Sequence, residues 1–179
     1  MTIAERIARA EAACAPVFEG IDRRELHNTK RVLELFQRHR VAARHFAGSE
    51  GYGYGDIGRD TLEAIVADLF QTESAIFRPQ IASGTHALSL GLFGLLQPGD
   101  HLLSACGDPY DTLADVIGLN GPVPGSLAEM GVTYGMVPPG GDGGIDVEAV
   151  LAALQPDTRV VLVQRSRGYA WRNSLLPRD

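Results

Sequence analysis

The chain has 179 residues, 45% of them apolar, which is enough to bury the core of one domain or of part of a larger one. Its 22 acidic side chains outnumber its 16 lysines and arginines, and the net charge of −6 argues against nucleic acid or an anionic membrane as the main partner. Cys14 and Cys106 show neither metal-ligand nor disulfide-framework spacing, and residues 1–20 lack the apolar core of a signal peptide, so we expect a cytoplasmic protein.

The first part of the sequence is predicted to be helical. Apolar residues recur at helical spacing in two stretches of residues 1–45, and Asp22 is placed to cap the second. A glycine-rich loop follows at 48–60, where Asp60 with Glu63 resembles a capping box for one more amphipathic helix.

From residue 75 onward, short apolar runs alternate with helical patterns. The predicted strands are 75–78, 101–105, 132–137 and 159–164, and the predicted helices are 85–96, 111–118 and 146–154. Such alternation is typical of a mostly parallel α/β sheet with helices on its faces. Since no helix pattern follows to cover the last strand, we expect an N-terminal helical segment, 1–47, and the truncated first part of a larger domain, 48–179.

A cluster of small polar residues stands where helix 85–96 is predicted to begin. The N-terminus of a helix presents unpaired N–H groups and the positive end of its dipole. Gly84 lets an anion approach the backbone, and Ser83 and Thr85 add hydroxyl donors, so the cluster is a candidate phosphate cradle. An ordinary N-cap is the alternative interpretation. The helix itself is apolar nearly all round, which predicts that it is buried.

Two tyrosines, Tyr52 and Tyr54, stand in the glycine-rich loop and suit ligand contact; a surface turn with packed rings is the alternative. Gly53–Gly58 also matches the dinucleotide fingerprint G-x-G-x-x-G, but no strand pattern precedes it. An acidic ribose ligand would be needed about 20 residues further on, and Glu73 stands there at a helix end rather than after a second strand. The nucleotide-binding interpretation is therefore the weaker one.

Tyr110 follows the predicted strand 101–105, at the carboxyl edge where open α/β sheets bind their ligands. Its ring is suited to stack on an aromatic ligand. The alternative is a turn in which Asp111 or Thr112 caps the next helix, and both interpretations can hold together.

Four motifs in this order, YGYGDIGRDTLE, SGTHA, GDPYDTLADVIG and QRSRGYAWR, resemble the aluminium-resistance or methionine gamma-lyase-like family. That family belongs to the fold type I enzymes of cysteine and methionine metabolism, which depend on pyridoxal 5′-phosphate (PLP). The resemblance runs from about residue 20 to the end. It implies the N-terminal portion of a fold type I large domain, from a lyase that eliminates a β- or γ-substituent of a sulfur amino acid.

The resemblance also implies roles for individual residues. Ser83, Gly84 and Thr85 would hold the PLP phosphate, and Tyr110 would stack on the pyridine ring. The segment QRSRGY, which contains Arg165 and Arg167, falls where the wider group contacts the cofactor's ring oxygen and the substrate.

The two arginines suit bidentate binding of a substrate carboxylate. A surface basic cluster paired with acidic neighbours is the alternative for Arg165 and Arg167. In the wider group, the loop that matches GYGYGDIGR reaches a neighbouring subunit's site, so homo-oligomers are implied for the full-length family. Glycines stand here in place of that loop's Tyr-x-Arg phosphate clamp, and Tyr52 and Tyr54 remain candidate substrate contacts.

The sequence has one lysine, Lys30, on a predicted solvated helix face. In the family, the lysine that forms the Schiff base and the carboxylate that holds the pyridine nitrogen protonated lie beyond residue 179. We therefore predict that this chain alone is catalytically inactive. A non-catalytic α/β module or remnant that binds phosphate-bearing ligands is the alternative function.

Overall fold

The computed structural model describes residues 1–49, 55–121 and 123–176. The chain forms two compact units, Met1–Gln80 and Ile81–Asp179. The first is helical, and the second is built on a parallel sheet, which confirms the predicted α/β class. The predicted domain limits, 1–47 and 48–179, stay a prediction.

One long helix, α1 (Ile3–Arg38), replaces the two helices predicted in this region. Thr2 begins it with a capping box, in which Thr2 Oγ1 accepts from Glu5 N and Glu5 Oε2 accepts from Thr2 N at 2.7 Å. Pro16 lies within the helix and removes one backbone donor without ending it. The prediction that Asp22 caps a second helix is wrong, because the backbone remains helical through that position.

The next helix, α2 (Ile57–Phe70), begins one turn before the predicted capping box and follows a short 3-10 helix, Ala43–Phe46. Asp56 is its cap, since Asp56 Oδ1 accepts from Arg59 N at 3.0 Å. That hydrogen bond is the main cause of the lowered pKa of Asp56. Asp60 lies inside the first turn instead, where its charge favours the positive end of the helix dipole.

The strand predicted at 75–78 does not form, and the segment is irregular. Glu63 Oε1 accepts from Phe77 N at 3.1 Å and from Arg78 Nε at 2.7 Å. A side chain thus takes a backbone N–H group that a strand would use in its ladder. The hydrogen bond with Arg78 is also the main cause of the lowered pKa of Glu63.

The sheet of the second unit has β1 (His101–Ser104) between β2 (Thr133–Met136) and β3 (Thr158–Leu162), and both pairings are parallel. The helices of this unit are α3 (Gly84–Leu95), α4 (Asp111–Ile117) and α5 (Val147–Ala153). Hydrophobic periodicity therefore predicted these six elements close to their observed bounds.

The core of the second unit forms around β1, which is buried along its whole length. The buried apolar residues packed together there are Leu92, Leu96, Leu102, Leu113, Ile117, Leu127 and Val132. The prediction that α3 is buried is wrong: Leu90 and Leu95 are 51% and 59% exposed, and only Leu92 of this helix is buried. One face of α3 packs in this core, and its remaining apolar surface faces outward.

Candidate functional site

The predicted phosphate cradle, residues 83–85, and the predicted ring platform, Tyr110, are neighbours in the second unit. Thr85 Oγ1 donates to Thr112 Oγ1 at 2.9 Å, which joins the start of α3 to the start of α4. Thr112 lies two residues after Tyr110 and beyond the carboxyl end of β1. The structure thus brings residues 83–85 and Tyr110 to one edge of the sheet, where ligands bind in open α/β folds.

The start of α3 carries both an N-cap and unpaired amides. Ser83 Oγ accepts from His86 N at 3.1 Å, and Ala87 N makes the first intrahelical hydrogen bond to Ser83 O. The N–H groups of Gly84 and Thr85 bond to no residue that the structure describes. A Cβ added at Gly84 would meet nothing within 4 Å, so open space adjoins these amides. The residues therefore fit an anion, and their role as a phosphate cradle stays a prediction.

The segment after β3 holds Tyr110 in three ways. Tyr110 N donates to Gln164 Oε1 at 2.8 Å, and the ring centroids of Tyr110 and Tyr169 lie 5.3 Å apart with planes inclined by 31°. Gly168 has φ +56°, and a Cβ there would stand 3.0 Å from Tyr110 Cδ2, so only glycine fits without displacing the ring. Gln164 Nε2 in turn donates to Ser166 O at 3.1 Å, which fixes its amide.

A hydrogen bond between the two tyrosine side chains is the main cause of the raised pKa of Tyr110. Tyr110 occupies the N-cap position of α4 without making a side-chain cap. Neither Asp111 nor Thr112, the two residues predicted to cap α4, is its N-cap. Asp111 lies in the first turn instead, where Asp111 Oδ1 accepts from Thr112 N at 2.8 Å.

A cleft of about 530 Å³ lies beside Tyr110. Its lining includes Asp108, Tyr134, Arg167 and Tyr169. Tyr134 Oη donates to Asp108 Oδ1 at 2.9 Å, and burial of the ring raises the pKa of Tyr134 far above its ordinary value. The cleft therefore presents three phenols and the Arg167 guanidinium together with the carboxylates of Asp108 and Asp111.

The two candidate substrate arginines differ in their surroundings. Arg165 Nε donates to Leu175 O at 3.3 Å, whereas Arg167 lines the cleft. Within the described ranges neither has a carboxylate partner, which disfavours the surface ion-pair alternative. Substrate binding by Arg165 and Arg167 stays a prediction.

Sequence reasoning missed Arg172, which is buried with 9% of its surface exposed. Its Nη2 donates to Gln164 O at 2.8 Å and to Ser166 O at 2.9 Å. The side chain therefore fixes the loop that holds Tyr110. A buried arginine bonded only to carbonyls leaves no periodic signal in the sequence, so the pattern could not reveal it.

Tyr52 and Tyr54 lie outside the described residues. The described elements before the G-x-G-x-x-G motif are α1 and the 3-10 helix, so the strand that a dinucleotide fingerprint requires does not precede it there. Lys30 is exposed on α1, as its predicted solvated face requires.

The comparison of the sequence with protein families gives a match to methionine gamma-lyase over residues 3–179. The chain belongs to the methionine gamma-lyase family. Nearly all of the chain takes part in this match, which confirms the resemblance carried by the four motifs.

Individual relatives of the methionine gamma-lyase family agree in sequence and in structure. A Listeria innocua protein described as a candidate cystathionine beta-lyase involved in aluminium resistance superposes with a TM-score of 0.91 at 44% identity, over 98% of this chain and 43% of that one. A carbon-sulfur lyase involved in aluminium resistance from Clostridium novyi gives 0.88 at 44% identity, over 94% and 40%. The Bacillus subtilis protein YnbB is 49% identical over 93% of this chain and 40% of its own length.

The chain spans about two fifths of the length of these relatives. The fold type I architecture is thus shown for the portion present, as its resemblance to these lyases implied. None of the described helices combines the length and the apolar character needed to cross a bilayer.

Proposed function

We propose that the chain is the phosphate-binding and ring-binding portion of a PLP-dependent carbon-sulfur lyase that acts on a sulfur amino acid by β- or γ-elimination. Its family and its similarity to the carbon-sulfur lyase from Clostridium novyi support this chemistry. The single observation that carries the proposal is the pair of unpaired amides at Gly84 and Thr85, joined through Thr112 to the Tyr110 platform. We also propose a cytoplasmic location.

The start of α3 would bind the phosphate. Gly84 N and Thr85 N would donate to its oxygens, and the dipole of the 12-residue helix favours a negative charge at this end. Ser83 keeps its hydroxyl hydrogen, since Ser83 Oγ acts as an acceptor in its bond with His86 N, and it would supply a third donor.

The residues around the cleft would orient the other groups. Tyr110 would lie against the pyridine ring, held in place by Gln164, and Arg167 would bind the substrate carboxylate. When bound, PLP supplies the electron sink that stabilises negative charge at the substrate α-carbon. Lys30, exposed on α1, is unsuited to the role of the amine that PLP chemistry requires, so we propose that this chain alone is inactive.

The experiment compares binding of PLP and of pyridoxal, which lacks the phosphate, by absorbance titration. The variant Gly84→Asp places a carboxylate where the phosphate would bind, and Asp is well tolerated in the first turn of a helix. Gly91→Asp on the same helix is the matched control, because a Cβ at Gly91 also meets nothing within 4 Å. We expect PLP to bind more tightly than pyridoxal, with this preference lost in Gly84→Asp and kept in the control.

Equal binding of PLP and pyridoxal by the unmodified chain would contradict the proposal. Tight binding of inorganic phosphate that PLP cannot displace would instead favour the non-catalytic phosphate-binding module. Borohydride reduction of the PLP-loaded chain, followed by mass spectrometry, tests inactivity separately, since a covalent adduct on Lys30 would contradict it.

A further inference from the structure

The N-terminal half of α1 carries an apolar stripe that no described residue covers. Ile3, Ile7 and Val17 are 77%, 54% and 62% exposed. The residues of this stripe, called the seam below, are Ile3, Ile7, Ala10, Cys14, Val17 and Ile21. Further along the same helix, Leu35 is only 5% exposed because α1 packs there on α2. The seam is thus the part of the helix without an internal partner in the described ranges.

The seam has the spacing of a coiled coil. Its members are separated alternately by four and three residues, so Ile7, Cys14 and Ile21 take the a positions of a heptad and Ile3, Ala10 and Val17 take the d positions. It extends for about 27 Å along the helix at 1.5 Å per residue. Pro16 falls at a c position, away from the seam. Such a strip is complementary to a copy of itself.

The flanking charges select one orientation of the two helices. Arg6 stands at a g position and Glu11 at the e position of the next heptad, and neither has a described ion-pair partner within the chain. In a parallel pair, g of one helix faces the e of the following heptad in the other, so Arg6 meets Glu11 twice. In an antiparallel pair g faces g and e faces e, which would forfeit both attractions. The remaining e and g positions of the seam are uncharged, at Ala4, Ala13, Phe18 and Gly20.

We propose that α1 pairs in parallel with α1 of a second copy of this chain, with the seam at the interface and reciprocal Arg6–Glu11 ion pairs at its edges. The central small residues, Ala10 and Cys14, let the two helices approach closely. The pairing is independent of the function proposed above, since it uses only residues of α1.

The experiment measures the dissociation constant of the full 179-residue chain by analytical ultracentrifugation under reducing conditions. Ile7→Asp is expected to raise it at least a hundredfold, because it buries two charges in the seam. Leu26→Asp is the matched control: Leu26 is 55% exposed on the same helix but outside the seam, so the dimer should persist. Far-UV circular dichroism verifies that both variants keep α1 helical.

Charge reversal tests the orientation. Arg6→Glu or Glu11→Arg alone should raise the dissociation constant of the dimer about fivefold. The double variant should bring the dissociation constant back to within about twofold of its original value. Oxidation should link Cys14 to Cys14 of the second copy, since equivalent a positions adjoin in a parallel pair. Any of four results would overturn the proposal. They are a double variant that fails to restore the dimer, a trimer, a chain that is still monomeric at about 100 µM, and a dimer whose dissociation constant does not change in Ile7→Asp.

Discussion

Replacing Gln164 with leucine should loosen the support of Tyr110 with little change in side-chain volume. Gln164 Oε1 is the acceptor for Tyr110 N at 2.8 Å, and its Nε2 donates to Ser166 O at 3.1 Å. Leucine leaves the partly buried N–H of Tyr110 without an acceptor, whereas Ser166 O keeps its hydrogen bond from Arg172 Nη2. An unsatisfied buried group costs about 1–3 kcal/mol, and the half-buried position of Gln164 places the expected loss at about 1–2 kcal/mol of unfolding free energy.

The matched variant is Gln164→Glu, which keeps the acceptor for Tyr110 N but turns the second side-chain oxygen, an acceptor, toward Ser166 O. We expect it to lose less than leucine does. Urea unfolding followed by tyrosine fluorescence and far-UV circular dichroism gives both free energies, provided that the denaturant slopes stay equal. If Gln164→Leu proved as stable as the original chain, the hydrogen bond to Tyr110 would not be what holds this loop.

Three further predictions concern packing and protonation. Gly118→Ala should be less stable than Gly125→Ala by about 1–3 kcal/mol in urea unfolding: both glycines have φ above +80°, but only at Gly118 would a Cβ collide, 2.7 Å from Ala128 Cβ. Since the folded pKa of Glu63 is lowered by Arg78, its stabilising contribution is complete above the unfolded pKa near 4.3 and is lost as pH falls through the folded value. Acid unfolding should therefore be shallower in Glu63→Gln, and an unchanged profile would contradict this. Because burial raises the pKa of Tyr134, its phenol should stay protonated above pH 10, where exposed tyrosines ionise. In an ultraviolet titration, Tyr134→Phe should remove one late-ionising tyrosine, whereas the raised pKa of Tyr110 should persist in that variant.

Hydrophobic periodicity predicted the elements of the second unit well, because β1 is buried along its whole length and α4 buries Leu113 and Ile117, one turn apart, on one face. It failed in the first unit where local alternatives compete. The N–H of Phe77 is taken by the Glu63 carboxylate, so the short segment 75–78, which was predicted to be a strand, stays irregular. In α1, Asp22 and Pro16 both suggest a break, yet a helix tolerates the loss of a single donor.

The candidate site was predictable in its types of residue but not in its supports. Ser83, Gly84 and Tyr110 belong to short motifs next to predicted helix starts, so sequence alone singled them out. The Thr85–Thr112 hydrogen bond and the hold of Gln164 on Tyr110 join residues 27 and 54 positions apart. Contacts over such distances follow from the strand order, which hydrophobic periodicity does not specify.

The strand order β2-β1-β3 has a consequence for synthesis on the ribosome. The central strand β1 leaves the exit tunnel first, and its partner on one side, Thr158–Leu162, is made more than fifty residues later. At roughly 5–20 residues per second the central strand, which is buried in the folded unit, waits several seconds with one edge unprotected. A nascent chain of this kind is a natural client for chaperones that shield hydrophobic strands until translation has supplied the second edge.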